Sequence, residues 1–230
     1  MESIRGRIDG DVSALFRHVR ALLFDFDGTL VEPGIDFGLM RRRVLDVVAA
    51  WGVDPAPLRA LPALEAIARV EAVLHDDEAR EGFVARCHET ILEIELEAAE
   101  RVRPYAGVPD LLRALADRGL RVGIVTRNCR PAVESILARE PLYHDVLLTR
   151  DDVPYVKPDP RHLLSALEIV GVPAACAVMC GDHPMDVQAG QAVGAVTVGI
   201  LQEGVGSEYF REVGPDLVLS RVTDLSDYLP

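Results

Sequence analysis

The chain has little of what marks secreted, membrane-spanning or zinc-binding proteins. Its longest apolar runs, such as VGAVTVGIL, are too short to cross a bilayer, and its N-terminus has no apolar stretch of signal-peptide length. Its cysteines have the spacing of neither a disulfide framework nor a zinc site; they are Cys87, Cys129, Cys176 and Cys180. We therefore expect a reducing, cytoplasmic location.

Positive charge is also scarce. The 24 basic residues face 37 acidic ones, and the formal net charge is −13. This balance argues against nucleic acid or an anionic membrane as a partner, but it leaves room for a small anion in a locally positive pocket. Lys157 is the only lysine in the chain, and it becomes a candidate functional residue if its neighbours also indicate a reactive site.

The carboxy-terminal part of the sequence alternates between short apolar runs and helix-like segments. This alternation predicts right-handed crossovers and an α/β fold with a Rossmann-like, doubly wound parallel sheet. After LLF in the first apolar run, the predicted strands are RVGIVT (121–126), DVLLT (145–149), AVMCG (177–181), AVTVGI (195–200) and DLVLS (216–220).

Residues 37 to about 103 have a different pattern. They show helical periodicity and no convincing strand, and prolines punctuate the first two helical stretches. We interpret this region as an all-helical insertion after the first strand. The expected domains are a discontinuous core of residues 1–31 and 104–230 and a helical cap of residues 32–103.

Polar residues collect at the predicted carboxyl ends of the strands, where ligands bind in doubly wound sheets. In LLFDFDGTLV, Asp25 and Asp27 follow the first strand; Thr126 ends RVGIVT and Asp182 follows AVMCG. Lys157 lies in the loop after DVLLT. One edge of the sheet is therefore expected to combine carboxylates, a hydroxyl and an ammonium group.

Clustered carboxylates repel one another unless a cation lies among them. Mg²⁺ prefers oxygen ligands and usually binds through one or two carboxylates together with a substrate phosphate. Asp182 and Asp186, four residues apart in GDHPMD, can face one such ion. Because a metal offsets repulsion between a phosphate and an attacking carboxylate, phosphoryl transfer is the chemistry that this edge favours.

Four segments also carry a family resemblance. DFDGTL, the threonine of VTRN, KPDP and GDHPMD resemble, in order and spacing, the four motifs of the haloacid dehalogenase superfamily. The chain is most similar to its phosphatases with a helical cap after the first motif, the phosphoglycolate phosphatase-like group. The resemblance runs from about Ala21 onward.

The resemblance implies roles in catalysis or phosphate binding for five residues. Asp25 matches the nucleophile that becomes an aspartyl-phosphate, and Asp27 matches the general acid and base. Thr126 and Lys157 match the pair that holds the phosphate, with Lys157 also reducing the effective charge on Asp25. Gly28 would let the backbone turn closely around the phosphate.

The resemblance also implies a Mg²⁺ site. Asp182 matches a direct ligand and Asp186 a ligand that binds directly or through water. Asp25 and the backbone carbonyl of Asp27 are the remaining ligands that the protein would supply. The second motif departs from its relatives, because Arg127 and Asn128 follow the threonine where relatives often have Asn or Gly first. Arg127 is expected to offer the phosphate its backbone N–H alone or its guanidinium as well. His183 stands where relatives have small polar residues, so the surroundings of the metal are expected to differ.

The leading hypothesis is a Mg²⁺-dependent phosphatase, a monomer or homodimer, that hydrolyses a small phosphorylated metabolite such as phosphoglycolate. Two alternatives stay open: a sugar-phosphate mutase of the same family, and a catalytically silent binding module, although every expected carboxylate is present. A phosphonatase would need a lysine in the cap, whereas Lys157 is in the core. A dehalogenase would generally lack the second acid, Asp27.

Overall fold

The computed structural model describes residues 12–229 and contains a six-stranded, all-parallel sheet flanked by helices. The strand order is β3-β2-β1-β4-β5-β6. The strands are β1 (Ala21–Phe24), β2 (Arg121–Val125), β3 (Val146–Leu148), β4 (Ala177–Gly181), β5 (Val196–Ile200) and β6 (Leu217–Leu219). The predicted doubly wound, Rossmann-like sheet is confirmed, and all six predicted strands are present.

The order of the strands positions the site. β1 pairs with β2 on one side and with β4 on the other, and β3 pairs with β2. The strand order therefore reverses direction at β1, which is where doubly wound sheets form their ligand crevice. The carboxyl ends of the four strands that precede the predicted site residues lie side by side.

Apolar residues on both faces explain the strands. All four residues of β1 and all five of β4 are buried, because helices cover both sides of a parallel sheet. The helices of this part of the chain are α1 (Ser13–Phe16), α5 (Val108–Asp117), α6 (Arg130–Arg139), α7 (Arg161–Val170) and α8 (Pro184–Val193). Gly171 and Gly194 adopt the left-handed conformation that ends α7 and α8.

The insertion, Gly34–Arg101, is a compact unit of its own. It contains α2 (Phe37–Ala50), α3 (Ala63–Glu71) and α4 (Asp77–Ala99) and no strand, so the predicted all-helical character is confirmed. Asp36 and Asp76 begin α2 and α4 by accepting hydrogen bonds from backbone N–H groups. Its core includes Val44, Val48, Phe83, Cys87 and Ile91.

The chain leaves the sheet-containing unit and returns to it at adjacent positions. Val31 and Pro104 form an isolated antiparallel bridge, and the N–H of Glu32 donates to the carbonyl of Arg103 at 2.9 Å. The two ends of the insertion are thus tied together by backbone contacts within the sheet-containing unit.

Within residues 12–229, no helix combines the length and the apolarity that crossing a bilayer requires. The expectation about a signal peptide concerns residues 1–11, which lie outside the described part of the chain, as does Pro230.

Candidate active site

A tight turn after β1 presents the first pair of acids. The N–H of Asp25 donates to the carbonyl of Cys180 at 2.8 Å, so the sheet ladder continues to this residue. The carbonyl of Phe26 then accepts hydrogen bonds from the N–H groups of Leu30 and Val31, which closes the turn. Gly28 occupies it with a φ of +80°, a conformation that other residues rarely adopt.

Lys157 is buried between two acids. Its Nζ lies 2.8 Å from Oδ1 of Asp25 and 2.7 Å from Oδ1 of Asp186, and the residue is only 1% exposed. Burial opposes the positive charge, but the charges of Asp186 and Asp25 outweigh it and raise the pKa of Lys157. The only lysine of the chain is therefore held as a cation within the site.

Three carboxylates form a candidate metal site. Asp25, Asp182 and Asp186 each place an oxygen within 4.8 Å of the others. Burial, reinforced by the charges of Asp25 and Asp186, raises the pKa of Asp182 to about 8. Burial also raises the pKa of Asp186 to about 6, although Lys157 counteracts part of this effect. A divalent cation with oxygen ligands would relieve the repulsion, so the donor set fits Mg²⁺.

Asp182 is held by two donors that the sequence analysis did not single out. Its Oδ1 accepts from the Thr29 hydroxyl and its Oδ2 from Nε2 of Gln202, both at 3.1 Å. Gln202 in turn accepts a hydrogen bond from the Tyr105 hydroxyl at 3.3 Å. Such outer contacts orient a ligating carboxylate.

Asp186 is held in two ways. Its Oδ1 contacts Lys157, and its Oδ2 accepts from the N–H of His183 at 3.0 Å. The Nδ1 atom of His183 accepts from the N–H of Met185 at 3.2 Å, and the two bonds together form a capping box at the start of α8. The histidine therefore helps to fix a candidate metal ligand.

Gly28 packs closely against Asp182. A Cβ atom on Gly28 would lie 2.5 Å from Oδ2 of Asp182 and 2.6 Å from Nε2 of Gln202. The N–H of Gly28 donates to the carbonyl of Val31 at 2.8 Å. The glycine thus allows the approach of Asp182 to the turn, while its contact with phosphate stays a prediction.

The loop after β2 carries the remaining predicted residues. The Thr126 hydroxyl is buried and accepts from the N–H of Asn128 at 3.0 Å, so its own proton can be donated to another group. The Arg127 guanidinium contacts the sulfur of Met185. The backbone carbonyl of Arg127 accepts a hydrogen bond from Nη1 of Arg150 at 3.1 Å. The phosphate-binding roles of Thr126 and Arg127 stay predictions.

Asp27 is separate from the three-carboxylate group. Its two carboxylate oxygens accept from Nδ2 of Asn128 at 3.2 and 3.0 Å. The structure therefore joins Asp25, Lys157, Asp182 and Asp186 in one cluster and pairs Asp27 with a neighbour from the loop after β2. This pairing was missed from the sequence, where Asn128 stood out only as part of an altered second motif.

Comparisons with known proteins agree with this architecture. A family model described as haloacid dehalogenase-like hydrolase matches residues 19–194. A curated relative, the pyrophosphatase PpaX of Bacillus cereus (strain G9842), is 37% identical over 128 residues, which are 55% of this chain and 59% of that protein. The matched region thus spans about three fifths of the length of such curated relatives.

Solved structures share the fold over most of the chain. A hydrolase from Pseudomonas syringae has a TM-score of 0.68 and 23% sequence identity, with 90% of this chain and 96% of that chain covered. CbbY from Rhodobacter sphaeroides, solved in complex with phosphate, has a TM-score of 0.63 and 25% identity, with 90% and 96% covered. From the matched family model and this shared fold we conclude that the chain belongs to the haloacid dehalogenase-like hydrolases.

Proposed function

We propose that this protein is a Mg²⁺-dependent phosphatase that hydrolyses a small phosphorylated metabolite, a phosphomonoester such as phosphoglycolate, through an aspartyl-phosphate. The observation that carries this proposal is the cluster of Asp25, Asp182 and Asp186, in which the buried Lys157 pairs with Asp25 and Asp186. A nucleophilic carboxylate, a fixed cation and a set of oxygen ligands together suit the transfer of a phosphoryl group.

The reaction has two steps in this proposal. In the first, the Asp25 carboxylate forms a bond to phosphorus and the bond to the ester oxygen breaks, while Asp27 gives its proton to the departing alcohol. In the second, water attacks the aspartyl-phosphate and Asp27 takes a proton from that water. Inorganic phosphate leaves, and the Asp25 carboxylate is restored.

The other side chains hold charge and position. Lys157 offsets the negative charge of Asp25 and of an incoming phosphate, and the Thr126 hydroxyl donates to a phosphoryl oxygen. Backbone N–H groups near Gly28 and Arg127 are proposed as further phosphate donors. The helical unit, Gly34–Arg101, is proposed to act as the cap that selects the substrate.

Mg²⁺ would be held by Asp25, Asp182 and Asp186 together with the backbone carbonyl of Asp27. When bound, the ion supplies positive charge that reduces the repulsion between the phosphate and the carboxylate nucleophile. Burial and then the charges of Asp25 and Asp186 raise the pKa of Asp182, and a bound cation would favour its ionised form.

Hydrolysis of p-nitrophenyl phosphate in the presence of Mg²⁺ tests the proposal. Asp25→Asn should lower kcat by roughly 10³-fold or more, which corresponds to about 4 kcal/mol of activation free energy. Asp117→Asn, at an exposed position at the end of α5, is the matched control and should keep wild-type activity. Full activity in Asp25→Asn would rule out the proposed nucleophile.

The substrate is sought with a panel of phosphoglycolate, sugar phosphates and pyrophosphate. Pyrophosphate is a second candidate because the PpaX relatives are named as pyrophosphatases. A sugar phosphate converted into an isomer with little free phosphate would indicate a mutase instead. Failure to hydrolyse any member of the panel would favour a catalytically silent binding module.

A further inference from the structure

Asn128 directs a hydrogen-bond donor at Asp27. Its Nδ2 lies 3.0 Å from one carboxylate oxygen of Asp27 and 3.2 Å from the other. Asn128 is only 5% exposed, whereas Asp27 is partly accessible. The contact links the loop after β2 to the turn after β1 and is shielded from water on the asparagine side.

The amide of Asn128 is fixed from its other end. Its Oδ1 accepts from the N–H of Cys129 at 2.8 Å, and Cys129 begins α6. The backbone N–H of Asn128 donates to the Thr126 hydroxyl, and its carbonyl accepts from the N–H of Arg150 at 3.2 Å. A flipped amide would place its NH₂ group against the N–H of Cys129 and its oxygen against the Asp27 carboxylate, so one orientation satisfies both neighbours.

We propose that Asn128 is a positioning residue that holds the Asp27 carboxyl group for its two proton transfers. This inference rests on the proposed function, in which Asp27 gives a proton to the departing oxygen and later takes one from water. Asn128 exchanges no proton itself. It restricts the rotation of the carboxyl group, and proton transfer requires hydrogen-bond reach and alignment.

Comparing substrates with different leaving groups distinguishes a positioning role of Asn128 from a general structural role. p-Nitrophenolate is a stable anion and departs with little help from an acid, whereas phenolate is more basic and depends more on protonation. If Asn128 acts through Asp27, changes at Asn128 should slow the hydrolysis of phenyl phosphate more than that of p-nitrophenyl phosphate. Loss of folded protein would slow both reactions by the same factor.

Two variants make the test. Asn128→Ala removes the donor, and Asn128→Leu removes it while keeping a side chain of similar size. In both, kcat/KM for phenyl phosphate should fall about 10-fold further than kcat/KM for p-nitrophenyl phosphate. Asn128→Leu keeps the test valid if the alanine variant does not fold.

Thr197→Val is the matched control. Thr197 is buried in β5 and donates to Asp216, so its loss disturbs a buried hydrogen bond outside the site and should leave the ratio of the two kcat/KM values unchanged. An unchanged ratio in the Asn128 variants would overturn the positioning role. A wild-type protein that hydrolyses neither ester would overturn the proposed function itself.

Discussion

The Nζ atom of Lys157 lies 2.7 Å from Oδ1 of Asp186 and so joins the loop after β3 to the first turn of α8. The same Nζ contacts Asp25 at the end of β1. A single buried ammonium group therefore balances charge on two acids, one at the end of β1 and one in the first turn of α8. Its removal would affect stability as well as activity.

Lys157→Met should lower the free energy of unfolding by about 3–5 kcal/mol, because it leaves the buried Asp186 and the partly buried Asp25 without their cation. Urea unfolding of the metal-free protein measures this loss, and added Mg²⁺ should restore part of it. Arg121→Met is the control, since Arg121 is exposed to solvent and its pair with Asp145 should contribute about 1 kcal/mol or less. Equal losses in the two variants would contradict the prediction.

Gly28→Ala should destabilise the protein for two reasons: a positive φ and a Cβ atom 2.5 Å from Oδ2 of Asp182. Gly119→Ala isolates the first reason, because Gly119 has a φ of +77° and its Cβ atom would have no neighbour within 4 Å. We expect a loss of about 1 kcal/mol for Gly119→Ala and a clearly larger one for Gly28→Ala, measured by urea unfolding. Mg²⁺ binding should weaken only in Gly28→Ala. Equal losses of stability in the two variants would show that Asp182 can move away from the added Cβ atom without destabilising the protein.

Gln202→Leu should weaken Mg²⁺ binding by roughly 10-fold, because Asp182 loses one of the donors that orient it. Calorimetric titration of the metal-free protein with MgCl₂ measures the affinity independently of turnover. Gln191→Leu provides the comparison, since Gln191 donates to the carbonyls of Val213 and Gly214 on an exposed surface. An unaltered affinity in Gln202→Leu would mean that Thr29 alone suffices to hold Asp182.

His162 should make the protein sensitive to mild acid. It is buried at the start of α7, and its Nδ1 lies 3.3 Å from the backbone nitrogen of Lys157, which donates to it. Burial, with the nearby charge of Lys157, lowers the pKa of His162 to about 3. In the unfolded chain the pKa of His162 is near 6.5. On acidification the unfolded state therefore binds a proton at His162 that the folded state does not bind.

The stabilisation that His162 contributes is therefore complete above pH 6.5 and is lost as the pH falls towards 3, at up to about 1.4 kcal/mol per pH unit. Between pH 7.5 and 5.0, wild type should lose about 2 kcal/mol more than His162→Gln. Urea unfolding at both pH values measures the difference, with His75→Gln as an exposed control. Parallel losses in wild type and His162→Gln would refute the assignment.

The sequence predicted the sheet and most of the cluster because both depend on local patterns. The apolar runs mark the strands, and Asp25, Thr126 and Asp182 directly follow strands that the alternation makes parallel. Once those strands are adjacent, the residues must share one edge. The predicted runs were up to two residues too long, as at Asp145, whose carboxylate accepts from the N–H of Val122 rather than extending β3.

The contacts around the cluster depend on side-chain directions that spacing does not report. Gln202 follows β5, a neighbour of β4, so its position at the same edge could be predicted, but its contact with Asp182 could not. Asn128 was visible only as a departure in the second motif. Its pairing with Asp27 arises from the course of the loop between β2 and α6, where Cys129 fixes the amide.

The presence of one lysine in the whole chain has a spectroscopic consequence. A sample grown with isotopically labelled lysine contains a single labelled side chain, and that side chain lies between Asp25 and Asp186. Its nuclear resonance needs no assignment, so titration with a cation or a phosphate mimic would follow the centre of the cluster through one isolated signal.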